Sequence, residues 1–368
     1  MQSLDLLDSA QYVLDTVHNT QGPEDCRVMR ETWLLYGATG YTGRRIARNA
    51  VEKGAKPVLA GRRESELRPL AEELGLDWEV FDLHDAALVQ TKLARHAFVV
   101  NAAGPFAHTY GPIVEGCLAV GAHYLDISGE VDAYEGLAGY HDAALRAGVM
   151  VMPAIGFDMV PGDCLALTLS NRLPDATVLN IGYSFDGTVS RGSARSALVA
   201  FSPETTVRRD GVLEKLPAPA VRPFDFGPLS TQGRVDCYST TFGDVSIGWR
   251  TTGIPNVTAY IQLTKAFQDL AALESPAAID HMPDGPTDEE LESLSAFIVG
   301  EATNERGQVV RARLRTPQVY AITFELATDI AGRVQDGMAV PGFQTPARVL
   351  GETYITNFDG CELEWLAG

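Results

Sequence analysis

The sequence predicts an α/β protein: a doubly wound parallel (Rossmann) sheet followed by a second α+β domain built on a mostly antiparallel sheet. Three observations carry that expectation. Short apolar runs alternate with helical stretches from Thr32 to Arg172, the pattern of right-handed βαβ units. The first strand-to-helix turn is spaced by glycine at Gly37, Gly40 and Gly43. Beyond Arg172 the runs become β-like and are broken by loops rich in Gly and Pro.

Taken in order, residues 1–30 place Leu4, Leu7, Tyr12, Val13 and Val17 at helical spacing before the turn-like "NTQGPED", which reads as a leading helix and linker. Residues 31–170 form the first domain. "WLLYG" is its first strand, a helix from Tyr41 to Lys53 follows, and "PVLAG", "WEVFD", "FVVNAAG", "HYLDIS" and "VMVMPAI" are the further strands, with a helix between each pair. That gives roughly six parallel strands. Residues 171–340 form the second domain, with β-like runs "TVLNIGYSF", "RVDCYSTT", "NVTAYIQL" and "QVYAITFELATDI". Within it "MPDGPTDEELESLSAFIVG" carries a short exposed helix, because Thr287 and Glu290 stand at capping-box spacing. Residues 341–368 are expected to turn helical after Pro346 and to return to the first domain.

Composition narrows the function. The chain has 368 residues, 45% of them hydrophobic and 21% charged, as in a globular protein with a sizeable core. Its net charge of −19 repels nucleic-acid backbones and anionic membranes, so neither is an expected partner. The five cysteines are scattered singly, with no CxxC pair and no His cluster at ligand spacing; no metal is expected, and a reducing cytoplasm is the expected compartment. No apolar run approaches the ~18 residues of a membrane span.

The glycine loop is the strongest chemical signal. Gly37 permits the tight turn, Gly40 lets backbone approach a pyrophosphate, and Gly43 lets the helix pack on the sheet, while Thr39, Tyr41 and Thr42 complete the loop. At the end of the second strand an NAD-binding chain carries an acid for the ribose 2′-hydroxyl. Here stand Arg62 and Arg63, two planar forks that match a 2′-phosphate, with Ser65 as a further donor. NADPH is therefore the expected cofactor. Asp82 with Leu83 ends the third strand, where the aspartate either approaches the adenine edge or caps the next helix. The small residues Ala102, Ala103 and Gly104, with Pro105 and Phe106, let the chain pass close to the cofactor.

Ligands of open α/β sheets bind beyond the carboxyl ends of the strands. His108 and Tyr110 follow the fourth strand, Asp126, Ser128 and Glu130 the fifth, and Asp158 the sixth. Each has a structural alternative, as a loop residue, a helix cap or a turn-holder. No tyrosine has Lys four residues on, so the Tyr–Lys pair of short-chain dehydrogenases is absent.

Larger stretches carry a family likeness: "GATGYTG", "NAAGPFAHTYG", "GAHYLDISGE", "PAIGFDMVPGD", "GTVSRGSARSAL" and "GFQTPARVLGE". The chain resembles the saccharopine dehydrogenase-like oxidoreductases, and among them the trans-acting enoyl reductases of lipid and polyketide assembly. The resemblance implies an NADP-binding first domain, a second domain closing over the nicotinamide, and reduction of an activated C=C bond. Two other readings stay open: chemistry at C=N of an amino-acid-derived substrate, and an NADPH sensor without turnover. For C=C reduction the expected proton donor is Tyr110, then Asp126, with Ser128 as a relay. His108, Asp158, Ser190, Arg191 and Ser193 are the expected substrate contacts. The expected partners are a small-molecule or carrier-bound acyl substrate, docked by Arg191 and Arg195 or by Arg208 and Arg209, and a second copy of the chain as a homodimer.

Overall fold

A computed structural model of the chain describes residues 32–200, 204–229, 234–271 and 276–367. The expected leading helix lies outside the described residues.

The first domain is built on β1 (Trp33–Tyr36), β2 (Val58–Gly61), β3 (Trp78–Val80), β4 (Phe98–Asn101), β5 (His123–Asp126) and β6 (Met150–Met152). All pair in parallel, and helices fill every crossover. The strands β1, β2 and β4 are short and buried on both faces, which explains their apolar sequence, whereas the edge strand β3 is half-buried. Leu34 of β1 lies opposite Val58 of β2 on one side and Val99 of β4 on the other. The chain order thus reverses at β1, and the crevice at its carboxyl end is where a ligand is received.

The second domain contains β7 (Ala176–Ser184), β8 (Thr205–Arg209), β9 (Val212–Leu216), β10 (Val221–Phe224), β11 (Val235–Thr240), β12 (Asn256–Ile261), β13 (Ser295–Asn304) and β14 (Val309–Pro317). β15 (Gly342–Phe343) and β16 (Glu362–Trp365) come from the end of the chain. Among the described residues the larger sheet runs β10-β11-β12-β7-β13-β14-β16, with β8 and β9 branching from β12. Its pairs are antiparallel except β7 with β12. The helix Val160–Arg172 packs on β13 and β14, where Gly300 leaves the space that Leu165 and Leu169 fill.

Three expectations need correction. The parallel sheet has seven strands among the described residues, not six, because β15 adds to the open edge of β6. There Gly342 donates its N–H to Val149 O and Gln344 to Val151 O, satisfying edge groups that would otherwise face solvent. The final segment is correspondingly not one helix: after β15 come a five-residue helix, Pro346–Leu350, and then β16, which joins the second sheet beside β14. Finally, "QVYAITFELATDI" is not a strand but the start of the 17-residue helix Val319–Gln335. Gln318 nucleates it by accepting from the N–H groups of Tyr320 and Ala321, and the buried residues Ile322, Leu326, Ile330 and Val334 recur at helical spacing that the β-branched content obscures. The acidic segment, by contrast, holds the predicted capping box of Thr287 and Glu290 at the start of Asp288–Ser293.

A buried ion group joins the two sheets. Arg208 of β8, 4% exposed, donates Nη2 to Glu135 Oε1 at 2.8 Å and Nη1 to Gly211 O at 2.7 Å, with its guanidinium 3.9 Å from the Trp249 ring centroid. Arg250 grips the other oxygen of the same Glu135 at 2.9 Å. Glu135 belongs to the helix Val131–Ala138 of the first domain. Arg208→Ala is expected to lower unfolding free energy by about 3 kcal/mol, seen as a lower urea midpoint at unchanged m-value. A wild-type midpoint would show that the group does not join the sheets.

Candidate functional site

The glycine loop is shaped as a cradle. Gly37 has φ 84°, a conformation glycine adopts without strain, and a Cβ there would stand 2.7 Å from Ala103 N. A Cβ on Gly43 would collide with Gly37 O. The helix Tyr41–Glu52 starts after Gly40 with no side-chain cap, so its first N–H groups and the positive end of its dipole face outward. These features fit a pyrophosphate.

Around the ends of β2 and β3 lie the residues expected to take the adenosine half. Arg62 is exposed and has no ion-pair partner among the described residues, whereas Arg63 is paired with Glu66 at 2.6 Å. Asp82 is exposed and its Oδ1 accepts from His84 N at 2.8 Å, a turn-holding role. Burial, then the Asp82 carboxylate, pushes the Tyr36 hydroxyl up to about 12, while Arg62 acts in the opposite sense. Ser65 and Leu83 flank this end.

From the loop a cavity of about 680 Å³ runs to the face of the second sheet. Thr42, Ala102, Gly104, Pro105 and Phe106 form its cofactor side, and Phe157, Phe185, Phe242, Phe267, Ile261 and Val319 much of its far wall. Of the expected substrate contacts, His108, Asp158, Ser190 and Ser193 line it. Arg191 does not: its Nε donates to Met282 O at 2.8 Å, which turns the side chain to the outer side of its helix. Arg208 cannot dock a carrier, being buried against Trp249.

The three expected catalytic residues are likewise not among the cavity-lining residues. Tyr110 sits inside the helix Phe106–Val120 and directs its hydroxyl against Gly136, whose missing side chain makes the room. Asp126 and Ser128 are fully buried. Asp126 accepts from Tyr124 Oη at 2.7 Å, from Ser128 N at 2.9 Å, from Ser128 Oγ at 2.6 Å and from Ala154 N at 2.8 Å. Burial raises its pKa, against those donors. Residues at strand ends are often catalytic, but here they close a connection instead.

Asp158 does reach the cavity, which Glu130, Asp132, Asp186 and Glu204 also line. Asp158 has no hydrogen-bond or ion-pair partner among the described residues, and only a glycine at position 129 admits it: a Cβ there would lie 2.5 Å from Asp158 Oδ2. Burial, then the nearby Glu130 charge, pushes it up to about 6. Glu130 itself holds the amino end of the preceding helix, Phe106–Val120, accepting from Phe106 N at 3.1 Å and Ala107 N at 3.0 Å. Tyr320 and Thr323 also line the cavity and were not anticipated; both lie on the helix mistaken for a strand. Thr323 Oγ1 accepts from Phe157 N at 3.0 Å and so anchors the turn carrying Asp158. Among the described residues no cluster of His, Cys, Asp or Glu could hold a metal, and no helix is long and apolar enough to cross a membrane.

Residues 33–152 match the family described as the saccharopine dehydrogenase NADP-binding domain. The fold extends the likeness: saccharopine dehydrogenase (L-Glu forming) from Saccharomyces cerevisiae superposes with a TM-score of 0.63, covering 91% of this chain and all of that one, at 14% identity. In sequence the chain is similar to a trans-acting enoyl reductase of Mycobacterium tuberculosis, 31% identical over 147 residues (38% of this chain, 35% of that protein). It is also 30% identical over 138 residues to a trans-acting enoyl reductase of Mycobacterium ulcerans (35% of this chain, 33% of that protein). The chain thus spans less than half the length of the curated relatives it matches. The first domain is of the NADP-binding type, and the shape of its loop and Arg62, unpaired among the described residues, fit the phosphates of that cofactor.

Arg62→Ala is expected to weaken NADPH at least about tenfold while leaving NADH unchanged, since a charged hydrogen bond contributes ~1.5–3 kcal/mol. Arg63→Ala should cost less, because Glu66 already occupies that guanidinium. Equal losses for both cofactors in a fluorescence titration would remove Arg62 from the 2′-phosphate. Asp126→Ala should lower the thermal midpoint by several degrees, about 3 kcal/mol for orphaned buried donors. A variant of wild-type stability that binds NADPH yet turns nothing over would restore Asp126 to catalysis.

Proposed function

We propose, from the premise that residues 33–152 form an NADP-binding domain of the saccharopine dehydrogenase type, that the chain is an NADPH-dependent reductase of an activated C=C bond in an apolar acyl substrate. The observation that carries this reading is the charge of the cavity wall. Its permanent cations among the described residues are Arg195 and Lys215, and each is already paired, Arg195 with Asp280 at 2.5 Å and Lys215 with Glu204 at 3.3 Å. An amino-acid-derived imine brings carboxylates that need free cations. An acyl chain needs an apolar wall, which the phenylalanines supply. The enoyl reductase relatives support the same choice.

The bound cofactor supplies the hydride, two electrons and one hydrogen nucleus, to the carbon β to the carbonyl. The α carbon then needs a proton. Asp158 is the donor: it is unpartnered, lines the cavity, and its raised pKa keeps a usable fraction protonated near neutrality. Solvent returns the proton through the open end of the cavity. The second sheet and the apolar wall exclude bulk water from the reacting carbons. The acyl group arrives as a free thioester or on a carrier protein.

Turnover with trans-2-enoyl thioesters, followed by NADPH absorbance, is the direct test; oxidation of NADPH by a keto acid with an amino acid, and by no enoyl thioester, would overturn the reading. The acid form of Asp158 predominates below pH 6, so when protonation limits the rate, turnover should fall about tenfold per pH unit above that value. Asp158→Asn should lose that limb and about 10²-fold in rate. Because the folded pKa is raised above the unfolded one, the ionised carboxyl destabilises the fold above pH 6 and this penalty fades as pH falls toward 4. The Asn variant should therefore be more stable than wild type at pH 7 and less so relative to it at pH 4, read as thermal midpoints at the two pH values.

A further inference from the structure

C=C reduction leaves negative charge on the carbonyl oxygen of the substrate, and Asp158 serves only the carbon. A second donor is required. Three hydroxyls that line the same cavity are arranged to supply one. Ser190 precedes the helix Arg191–Ala200, and its Oγ accepts from Ser193 N at 3.2 Å. Ser190 N donates to the Tyr320 hydroxyl at 2.8 Å, Tyr320 Oη donates to Ser193 Oγ at 2.8 Å, and Ser190 Oγ donates to Ser193 Oγ at 3.1 Å. All three residues line the cavity.

The direction of these bonds decides the role. Ser193 Oγ accepts twice, which fills both of its lone pairs, so its own O–H is the one donor in the group without an acceptor among the described residues. Ser193 is exposed toward the cavity, whereas Tyr320 is 8% and Ser190 4% exposed. Both chains of bonds, one from Ser190 N through Tyr320 and the other from Ser193 N through Ser190 Oγ, end on Ser193 Oγ and polarise its hydrogen in the same sense. Asp158 lies near enough to the Tyr320 hydroxyl to act on its titration. The proton donor and this hydroxyl thus serve one cavity.

We infer that Ser193 donates its hydroxyl hydrogen to the carbonyl oxygen of the acyl substrate, with Tyr320 and Ser190 as positioning residues that fix and polarise it. This rests on the reading of the substrate as an acyl carbonyl compound. The nicotinamide carboxamide is the competing acceptor in the same cavity, and the two are separable by measurement.

The probe is a matched pair, the N-acetylcysteamine thioester of decanoic acid and its thioether analogue lacking the carbonyl oxygen, bound to the NADPH-loaded full chain. Wild type should bind the thioester about fivefold to tenfold more tightly than the thioether, the size of one hydrogen bond. Ser193→Ala should abolish that preference with NADPH affinity unchanged, Ser193→Thr should retain it, and Tyr320→Phe should lose part of it. Thermal melting checks that each variant is folded; Ser193, being exposed, tolerates truncation. A full carbonyl preference in folded Ser193→Ala would overturn the inference, as would a loss of NADPH affinity in its place, which would assign Ser193 to the carboxamide. Absence of the preference in wild type would overturn it too. Should wild type show the preference but reduce no enoyl thioester, the C=C reading fails while Ser193 keeps the carbonyl.

Discussion

The buried carboxylate of Asp126 is the constraint on which the site depends. With no exposure it holds four donors, and one of them, Ala154 N, belongs to a non-glycine residue at φ 63°. An alanine in the left-handed region costs roughly 1 kcal/mol, and it persists only where its surroundings determine it. Asp126 does so twice, because its backbone oxygen also accepts from Ile155 N. The chain leaving β6 is thereby bent back over β5, and the turn that follows brings Gly156, Phe157 and Asp158 to the cavity. A carboxylate at the end of a strand, which chemistry would claim for catalysis, is instead what aims a second carboxylate.

Asp158 can be unpartnered because other groups carry the structural load around it. Asp163, one helical turn and more along, ties the segment to the rest of the fold: Thr251 Oγ1 donates to one oxygen and Ala347 N, at 2.7 Å, to the other. Glu130 is occupied by the amino end of the helix Phe106–Val120. Thr323 pins Phe157 from the opposite domain. The acids of "SGE" and "GFDMVPGD" therefore divide into two with structural partners, Glu130 and Asp163, and one without, Asp158, a division no spacing rule reveals.

Local order was legible and long-range partnership was not. The β1 loop reads correctly because its glycines answer to backbone geometry within seven residues: Gly37 to its positive φ, Gly43 to the carbonyl of Gly37. The capping box at Thr287 is local in the same way. Tyr110, Asp126 and Ser128 do not line the cavity because their side chains are held against Gly136, Tyr124 and Ala154, contacts a strand-end argument does not contain. Tyr320 escaped because β-branched and aromatic residues make up more than half of "QVYAITFELATDI" and favour strand on propensity, whereas packing against both domains favours the helix. The sequence signals for the helix were Gln318, a side chain able to cap two N–H groups, and the spacing of Ile322, Leu326, Ile330 and Val334.

That helix also explains how two sheets can share one site. Tyr320 presents its hydroxyl to Ser193 while its ring meets the Tyr41 ring edge-on at 5.5 Å. Tyr41 begins the helix of the phosphate loop, and its own hydroxyl donates to Pro286 O of the second domain at 2.7 Å. Asp284 and Asp288 pair there with Arg44 and Arg45. Exposed pairs of this kind contribute little stability singly, about 0–1 kcal/mol. The helix that follows the glycine loop thus has its first residue fixed from the other domain. The loop, Ser193 and Asp158 are held relative to one another by packing within a single folded unit.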